Sequence, residues 1–381
     1  MTDFDVAVVG AGVVGSATAL ELARRGASVA LLEAEPEPGL QASATNSGIL
    51  HTGFDSKPGE LETELILRAA ELRDPVIESL GLEVMRCGAL MRATNDSERQ
   101  ALPTLAENAR ANGVEVTLHG DDTLEIPGEA VSDPAAFTLA LAEAATRHGC
   151  QLITGAPVGR IGRSEAGGLV LKAEGFEQLA ATVVVNCAGL GAGALARAAG
   201  DESFDVYPRK GEFLVFDGAE APLERILLPV PSPGTKGILV FPTLDGKVVA
   251  GPTAVDQEDS GDWSVRREAR EEIVPKAARL HPPLAGAEPI AAYAGLRPAG
   301  RGVNYVIGPS RACPGLVHAA AIRSTGLTAS LGIAERVAGI VEQLGVELGE
   351  RAPLERASRA STGAWWRRTA ERRGLMEVAP R

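Results

Sequence analysis

Val6-Ala7-Val8-Val9-Gly10-Ala11-Gly12-Val13-Val14-Gly15 is an unbroken apolar run followed by three glycines in the spacing GxGxxG. An apolar run without alternation reads as a strand buried on both faces. From Ser16 to Arg25 the apolar residues Ala17, Leu20 and Ala23 recur at helical spacing, and Gly26 follows as the helix terminator. A second buried strand, Ser28-Val29-Ala30-Leu31-Leu32, ends at Glu33-Ala34, with Glu33 lying 21 residues after Gly12. Strand, glycines, helix, strand and acid in this register form the βαβ unit that binds a dinucleotide. The glycines permit a tight turn and close backbone approach, the helix N-terminus faces the pyrophosphate, and the acid accepts from a ribose hydroxyl. NAD and FAD both satisfy this unit.

Working outward, the chain has 381 residues, a length suited to two domains or one large one. A hydrophobic fraction of 45% and a charged fraction of 23% place it among ordinary soluble globular proteins and exclude disorder, collagen and coiled coil. The 44 glycines beside 4% aromatics point to many turns and close backbone approaches. A formal charge of −13 argues against nucleic acid as a partner, because phosphate binding calls for a basic face. That charge is unevenly spread: Arg351–Arg381 holds eight Arg against three Glu, a local +5, which leaves −18 on the first 350 residues. Cys87, Cys150, Cys187 and Cys313 show no metal spacing, so no metal site is expected and the thiols read as those of a reduced compartment. The N-terminus lacks a basic leader and no apolar run reaches spanning length, which makes the cytoplasm the expected location.

The segment Gln41–Gly53, QASATNSGILHTG, follows the nucleotide-binding acid, where NAD dehydrogenases continue with another βα unit. It resembles the small-residue loop of the FAD-binding family that includes D-amino-acid oxidase and glycine oxidase. The resemblance implies an α/β fold: a Rossmann-like FAD-binding domain of the glutathione-reductase type with an antiparallel-sheet substrate domain. It places Ser43, Ala44 and Thr45 near the phosphates, Asn46, Ser47, Gly48 and Leu50 beneath the isoalloxazine, and His51 at the flavin. Further segments resemble later elements of the family in their family order. Val158 sits where adenine is contacted, and Ala181–Gly189 ends in a second contact turn at Ala188 and Gly189. Tyr293–Pro298 matches a GLRP element, and Ile322–Thr328 a closing element. There Arg323, Ser324, Gly326, Leu327 and Thr328 open a helix, to Gln343, whose N-terminus stabilises negative charge on the flavin. FAD is expected to be noncovalent, since no cysteine falls in a segment placed against the isoalloxazine.

The cofactor segments interleave with others, so the domains are expected to be discontinuous: 1–83, 132–198 and 297–345 for FAD, 84–131 and 199–296 for substrate, and 346–381 as a basic tail. Strands such as Glu212–Phe216 and Gly237–Phe241 suggest the substrate sheet, and Asp133 an N-cap for a helix reaching His148. Within the family, Asn46–Gly59, Pro208–Glu212, Lys236–Val240, Gly251–Ala254 and Arg323–Ser330 resemble the core of flavin-dependent glycerol-3-phosphate dehydrogenases and oxidases. L-2-hydroxyglutarate dehydrogenases share the first of these.

Oxidising an alcohol on a flavin needs a base for the hydroxyl proton while hydride passes to N5. His51 is the candidate base, because imidazole titrates near neutrality. Arg297 is the candidate anchor, its planar fork matching a carboxylate or phosphate, and Lys236 a second cation or a solvated turn lysine. Glu212 and Asp245 read as surface or turn residues. The expected reaction is oxidation of a small anionic hydroxy compound, glycerol 3-phosphate first, with reoxidation by oxygen or quinone. A 2-hydroxy acid or an amino acid is the alternative substrate, and a flavin-binding subunit of a larger complex the alternative role. The tail, with Trp365-Trp366-Arg367-Arg368, reads first as an exposed helix or packing arm; peripheral contact with anionic lipid on the inner face of the membrane is its second reading.

Overall fold

Phe4–Val9 forms the anticipated buried strand, the helix Val13–Arg24 follows three residues earlier than its apolar spacing indicated, and Val29–Leu32 pairs parallel to the first strand. The computed structural model describes residues 3–164, 167–173, 176–232, 236–356 and 364–372. Among these, eight strands make one sheet, in which Phe4–Val9 lies between Val29–Leu32 and Phe176–Asn186, all parallel. Gln151–Ile153 extends one side and Leu316–Ala320 joins the other, also parallel. Helices Val13–Arg24, Pro134–Arg147 and Gly326–Gln343 supply much of the apolar layer packed on this sheet. Asp133 caps the second of these, its carboxylate accepting from the N–H groups of Ala135 and Ala136.

Nine strands form a second sheet whose longest pair, Val206–Phe216 and Pro289–Gly300, runs antiparallel over its whole length. This sheet is mixed rather than wholly antiparallel: Ile226–Pro229 runs parallel to Ala89–Arg92. A helix, Asp96–Ala111, precedes its strand Thr117–His119 and was not foreseen. Its signal was present, since Asn95 accepts from Glu98 N–H while the Glu98 carboxylate reaches back to Thr94, a reciprocal start signature. Glu212 is not at the surface either. It lies wholly buried on Val206–Phe216, where Arg266 compensates its charge and Thr253 Oγ1 donates to its carboxylate. A third, small sheet pairs Ile49–Leu50 and Val84–Met85 with Ala130–Ser132.

Within the tail, the helix Trp365–Arg372 is a packing arm. Trp365 and Trp366 in the helix Trp365–Arg372 are each 2% exposed, packed in the apolar cluster that includes Phe213 and Tyr293. Trp365 meets Tyr293 edge-on at 5.5 Å between ring centres, and Trp366 donates from Nε1 to the turn residue Asp245 at 3.1 Å. The reading of these tryptophans as lipid anchors is thereby corrected: their apolar faces are spent inside the protein. Arg373 and the residues after it lie outside the described residues. No described helix is long and apolar enough to cross a membrane. Trp365→Ala should cost about 3–5 kcal/mol of stability by opening a cavity, whereas Ile290→Ala, at a partly exposed position, should stay within about 0.5 kcal/mol. Equilibrium denaturant unfolding measures both.

Candidate active site

A cavity of about 810 Å³ runs from the C-terminal ends of the parallel strands to the face of the second sheet. Open α/β sheets place ligands outside these strand ends. The first segment of its wall is the turn after Phe4–Val9. Gly10 has φ +100°, and a Cβ there would stand 2.4 Å from the Cys187 carbonyl oxygen. Gly12 N-caps the first helix without a side-chain bond to cap it from within. Ser43 enters from the small-residue loop instead, its Oγ accepting from Val13 N–H at 2.9 Å. Glu33 closes this end. It accepts from Ala11 N–H at 2.7 Å and Glu35 N–H at 3.0 Å; burial raises its pKa against those bonds.

Of the residues expected to touch the cofactor, Gly10, Gly12, Val13, Val14, Glu33, Ala34, Ser43, Thr45, Asn46, Ser47, Val158, Ala188, Gly189, Arg323, Ser324, Gly326 and Leu327 line this one cavity, as do His51, Arg297 and Lys236. Five others do not. Gly15 packs the helix on the preceding turn, where a Cβ would meet Gly10 O at 1.8 Å. Gly48 has φ +78° and a Cβ there would meet Ser132 O at 2.3 Å. Leu50 is buried in the apolar core, and Ala44 packs against the aromatic cluster while its carbonyl accepts from Thr369. Thr328 is buried behind His51, its Oγ1 accepting the His51 N–H at 3.1 Å. Their effect on the cavity is exerted through the residues they hold.

The donor set suits a long, phosphate-bearing cofactor. Helices Val13–Arg24 and Gly326–Gln343 both start at the cavity wall, with neither N-cap making a side-chain bond and no acid in either first turn. Their leading N–H groups make a positive end towards each end of the space. Cys187 reaches the wall beside Gly10, and burial pushes its thiol up to about 12.

At the far end His51 follows the short strand Ile49–Leu50. That strand pairs Ile49 with Val131 and Leu50 with Ala130, so one further step sets His51 opposite Glu129. His51 Nδ1 lies 2.8 Å from Glu129 Oε2, while Thr52 donates to Glu129 Oε1 from N–H at 2.7 Å and from Oγ1 at 2.9 Å. Glu129 is completely buried. Lys236 is ion-paired with Asp55 at 2.7 Å while about half of its side chain stays in solvent. Burial opposes the charge of Asp55, but Lys236 and His51 outweigh it and hold its carboxyl below the usual range, and Asp55 in turn holds Lys236 above the usual lysine range.

Arg297 lies in the groove that Gly211 leaves open, where a Cβ would come within 3.1 Å of Nη2. It donates to the carbonyls of Arg209, Lys210 and Thr253 at 3.1, 3.0 and 2.7 Å. Burial, reinforced by the charges of Arg209 and Arg323, brings its pKa down to about 10, so it stays cationic at neutral pH. Arg209 is paired with Asp256 at 2.8 Å; among the described residues neither Arg297 nor Arg323 has a carboxylate at ion-pair distance. Glu129, Asp55 and Arg209 were missed from the sequence. Gly128-Glu129-Ala130 carries no local motif, and only the strand register joins it to His51.

The family model of the FAD dependent oxidoreductases named DAO matches residues 5–340. A glycerol 3-phosphate dehydrogenase from Caloramator mitchellensis is 30% identical over 365 residues, covering 91% of this chain and 76% of that protein. An L-2-hydroxyglutarate dehydrogenase from Escherichia coli K12 is 28% identical over 271 residues, covering 66% of this chain and 64% of its own. Among solved structures, FAD-bound L-α-glycerophosphate oxidase from Mycoplasma pneumoniae superposes with a TM-score of 0.85 at 26% identity, covering 94% of this chain and 99% of that one. The cavity at the ends of the parallel strands has the length and donor set for such a cofactor, and the chain belongs to the DAO family of FAD-dependent oxidoreductases.

Proposed function

We propose that this enzyme oxidises the secondary alcohol of glycerol 3-phosphate, with oxygen or a quinone as the terminal acceptor. The observation that carries the reading is cationic: Arg297 and Arg323 line the same cavity as His51 without carboxylate partners among the described residues. Two uncompensated guanidiniums suit a phosphate dianion, and Arg297, its Nε and Nη2 hydrogens committed to carbonyls, offers Nη1 to the anion. Similarity to glycerol 3-phosphate enzymes in sequence and in structure supports the same reading.

FAD, when bound, supplies the hydride acceptor. Gly10 and Gly12, the N–H groups of the first helix turn, Ser43 and Thr45 would hold its pyrophosphate, Glu33 its ribose, Val158 its adenine side, and the start of Gly326–Gln343 its pyrimidine end. The chain's own chemical work is then to fix the anion and to take a proton. Arg297, rigid on three carbonyls, orients the phosphate. His51 accepts the hydroxyl proton at the nitrogen turned away from Glu129. A second reading, oxidation of L-2-hydroxyglutarate, is favoured by the pairing of Lys236 with Asp55, which lowers the cationic complement available to a phosphate.

Anaerobic mixing of the holoenzyme with glycerol 3-phosphate should bleach the flavin band, and faster than L-2-hydroxyglutarate does; the reverse order transfers the assignment to the hydroxy acid, and no bleaching by either defeats both. Arg297→Ala should weaken substrate binding by about 2–5 kcal/mol while FAD remains bound, measured as the concentration dependence of the bleaching rate. His51→Ala should slow bleaching at saturating substrate by roughly 10²–10⁴, and an unchanged rate removes it as the base. Reoxidation of the bleached enzyme in aerated buffer, compared with a soluble quinone under nitrogen, separates the two acceptors.

A further inference from the structure

We infer that Glu129 is a positioning residue that sets the tautomer of His51, holding the ring proton on Nδ1 so that Nε2 meets the substrate hydroxyl as a bare acceptor. This rests on the alcohol-oxidation reading for its consequence, but its geometry stands alone. Glu129 does not reach the cavity; it lies wholly buried behind His51. Thr52 commits one carboxylate oxygen as an acceptor of two bonds, and Oε2 faces Nδ1 at 2.8 Å. An ionised carboxylate can only accept, so Nδ1 must be the donor. Arg73 supplies a cation in the same buried region, where its charge and that of Glu129 attract and its Nη1 reaches the His51 carbonyl at 3.5 Å. The backbone of His51 is pinned as well, its N–H donating to Thr328 Oγ1.

The chemistry needs this arrangement. In the proton step the substrate O–H bond breaks and an H–Nε2 bond forms, while the hydride of the carbinol carbon goes to the flavin as oxidant. Nε2 can take the proton only if it carries none beforehand, and the imidazolium that results then has its positive charge beside the Glu129 carboxylate. Glu129→Gln tests the arrangement sharply. The Thr52 N–H requires the amide oxygen, because turning the amide over would set two donors against each other. The amide NH₂ therefore faces Nδ1 and donates to it, which forces the ring proton onto Nε2, the unproductive tautomer.

Ring-nitrogen NMR of the holoenzyme labelled with ¹⁵N-histidine, with the His51 signals assigned through His51→Ala, should show the proton on Nδ1 in the wild type. In Glu129→Gln it should move to Nε2, with flavin reduction slowed on the order of 10²–10⁴-fold and FAD still bound. Adding Glu129→Gln to His51→Ala should cost no further rate, as for groups that act as a unit. A wild-type ring protonated on Nε2, a Glu129→Gln ring that keeps its proton on Nδ1, or a full further loss in the double variant overturns the assignment. The wild-type tautomer decides even if Glu129→Gln does not fold. Failure of glycerol 3-phosphate and L-2-hydroxyglutarate alike to bleach the wild type would defeat the substrate reading and leave the tautomer result to decide this one.

Discussion

The close approach of two strand ends, at Gly10 and Cys187, is the constraint on which the site depends. Phe4–Val9 and Phe176–Asn186 run side by side to Val9 and Asn186, and Cys187 N–H still donates to Val9 O at 2.9 Å. The chain must then turn out of the sheet at once, and only a residue without Cβ can do so with a carbonyl oxygen 2.4 Å from where that atom would lie. The same turn starts the first helix at the cavity wall and leaves Ala11 N–H to be taken by Glu33. On the other side Asn186, wholly buried, accepts from Ala188 N–H and donates to Ala192 O, which shapes the second turn of the wall. Segments more than 170 residues apart in sequence thus form one rim.

Local patterns carried this much of the architecture because each of its steps is local: an apolar run, glycines at fixed spacing, an acid at the next strand end. The same held for His51, which sits in a loop of distinctive composition. Its partner did not, since Glu129 is 78 residues away and nothing around it is unusual. What joins them is a two-residue ladder, too short to be read from sequence. Lys236 and Asp55 were separated by a still longer span, so the lysine was legible as a cation but not as a paired one. Gly295 shows a subtler limit. It belongs to the GLRP element and lines the cavity, yet a Cβ there would also collide with Thr45, at 2.7 Å from Oγ1. Its smallness lets the second sheet close over the small-residue loop.

Within the cavity, burial and charge pull in opposite directions, and the outcome differs from pair to pair. Asp55, little exposed, is offset by Lys236, which keeps about half of its side chain in solvent. Arg297 has no such partner and is held by carbonyl dipoles instead, which satisfy its hydrogen bonds without neutralising it. A buried, hydrogen-bonded but uncompensated cation is costly to keep in a protein. That cost falls when an anion enters the cavity, so an anionic ligand gains from a charge the fold has already desolvated and oriented.

The uneven charge of the sequence finds a physical place in the same rim. Glu33 is followed by Glu35 and Glu37, and the charge of Glu35 adds to burial in raising the pKa of Glu33. The C-terminal helix brings Arg372 to Glu35 at 2.6 Å and Arg368 to Glu37, while Thr369 donates to the Ala44 carbonyl. Exposed pairs of this kind contribute little each. Here, however, the helix that carries them is fixed by two buried tryptophans, so the ordering of its arginines comes largely with the apolar contact. Through Arg368 and Arg372 the helix Trp365–Arg372 is therefore a local counter-charge on the loop from Glu33 to Thr45, which forms one wall of the cavity, and it is tied through Asp245 and Tyr293 to the second sheet.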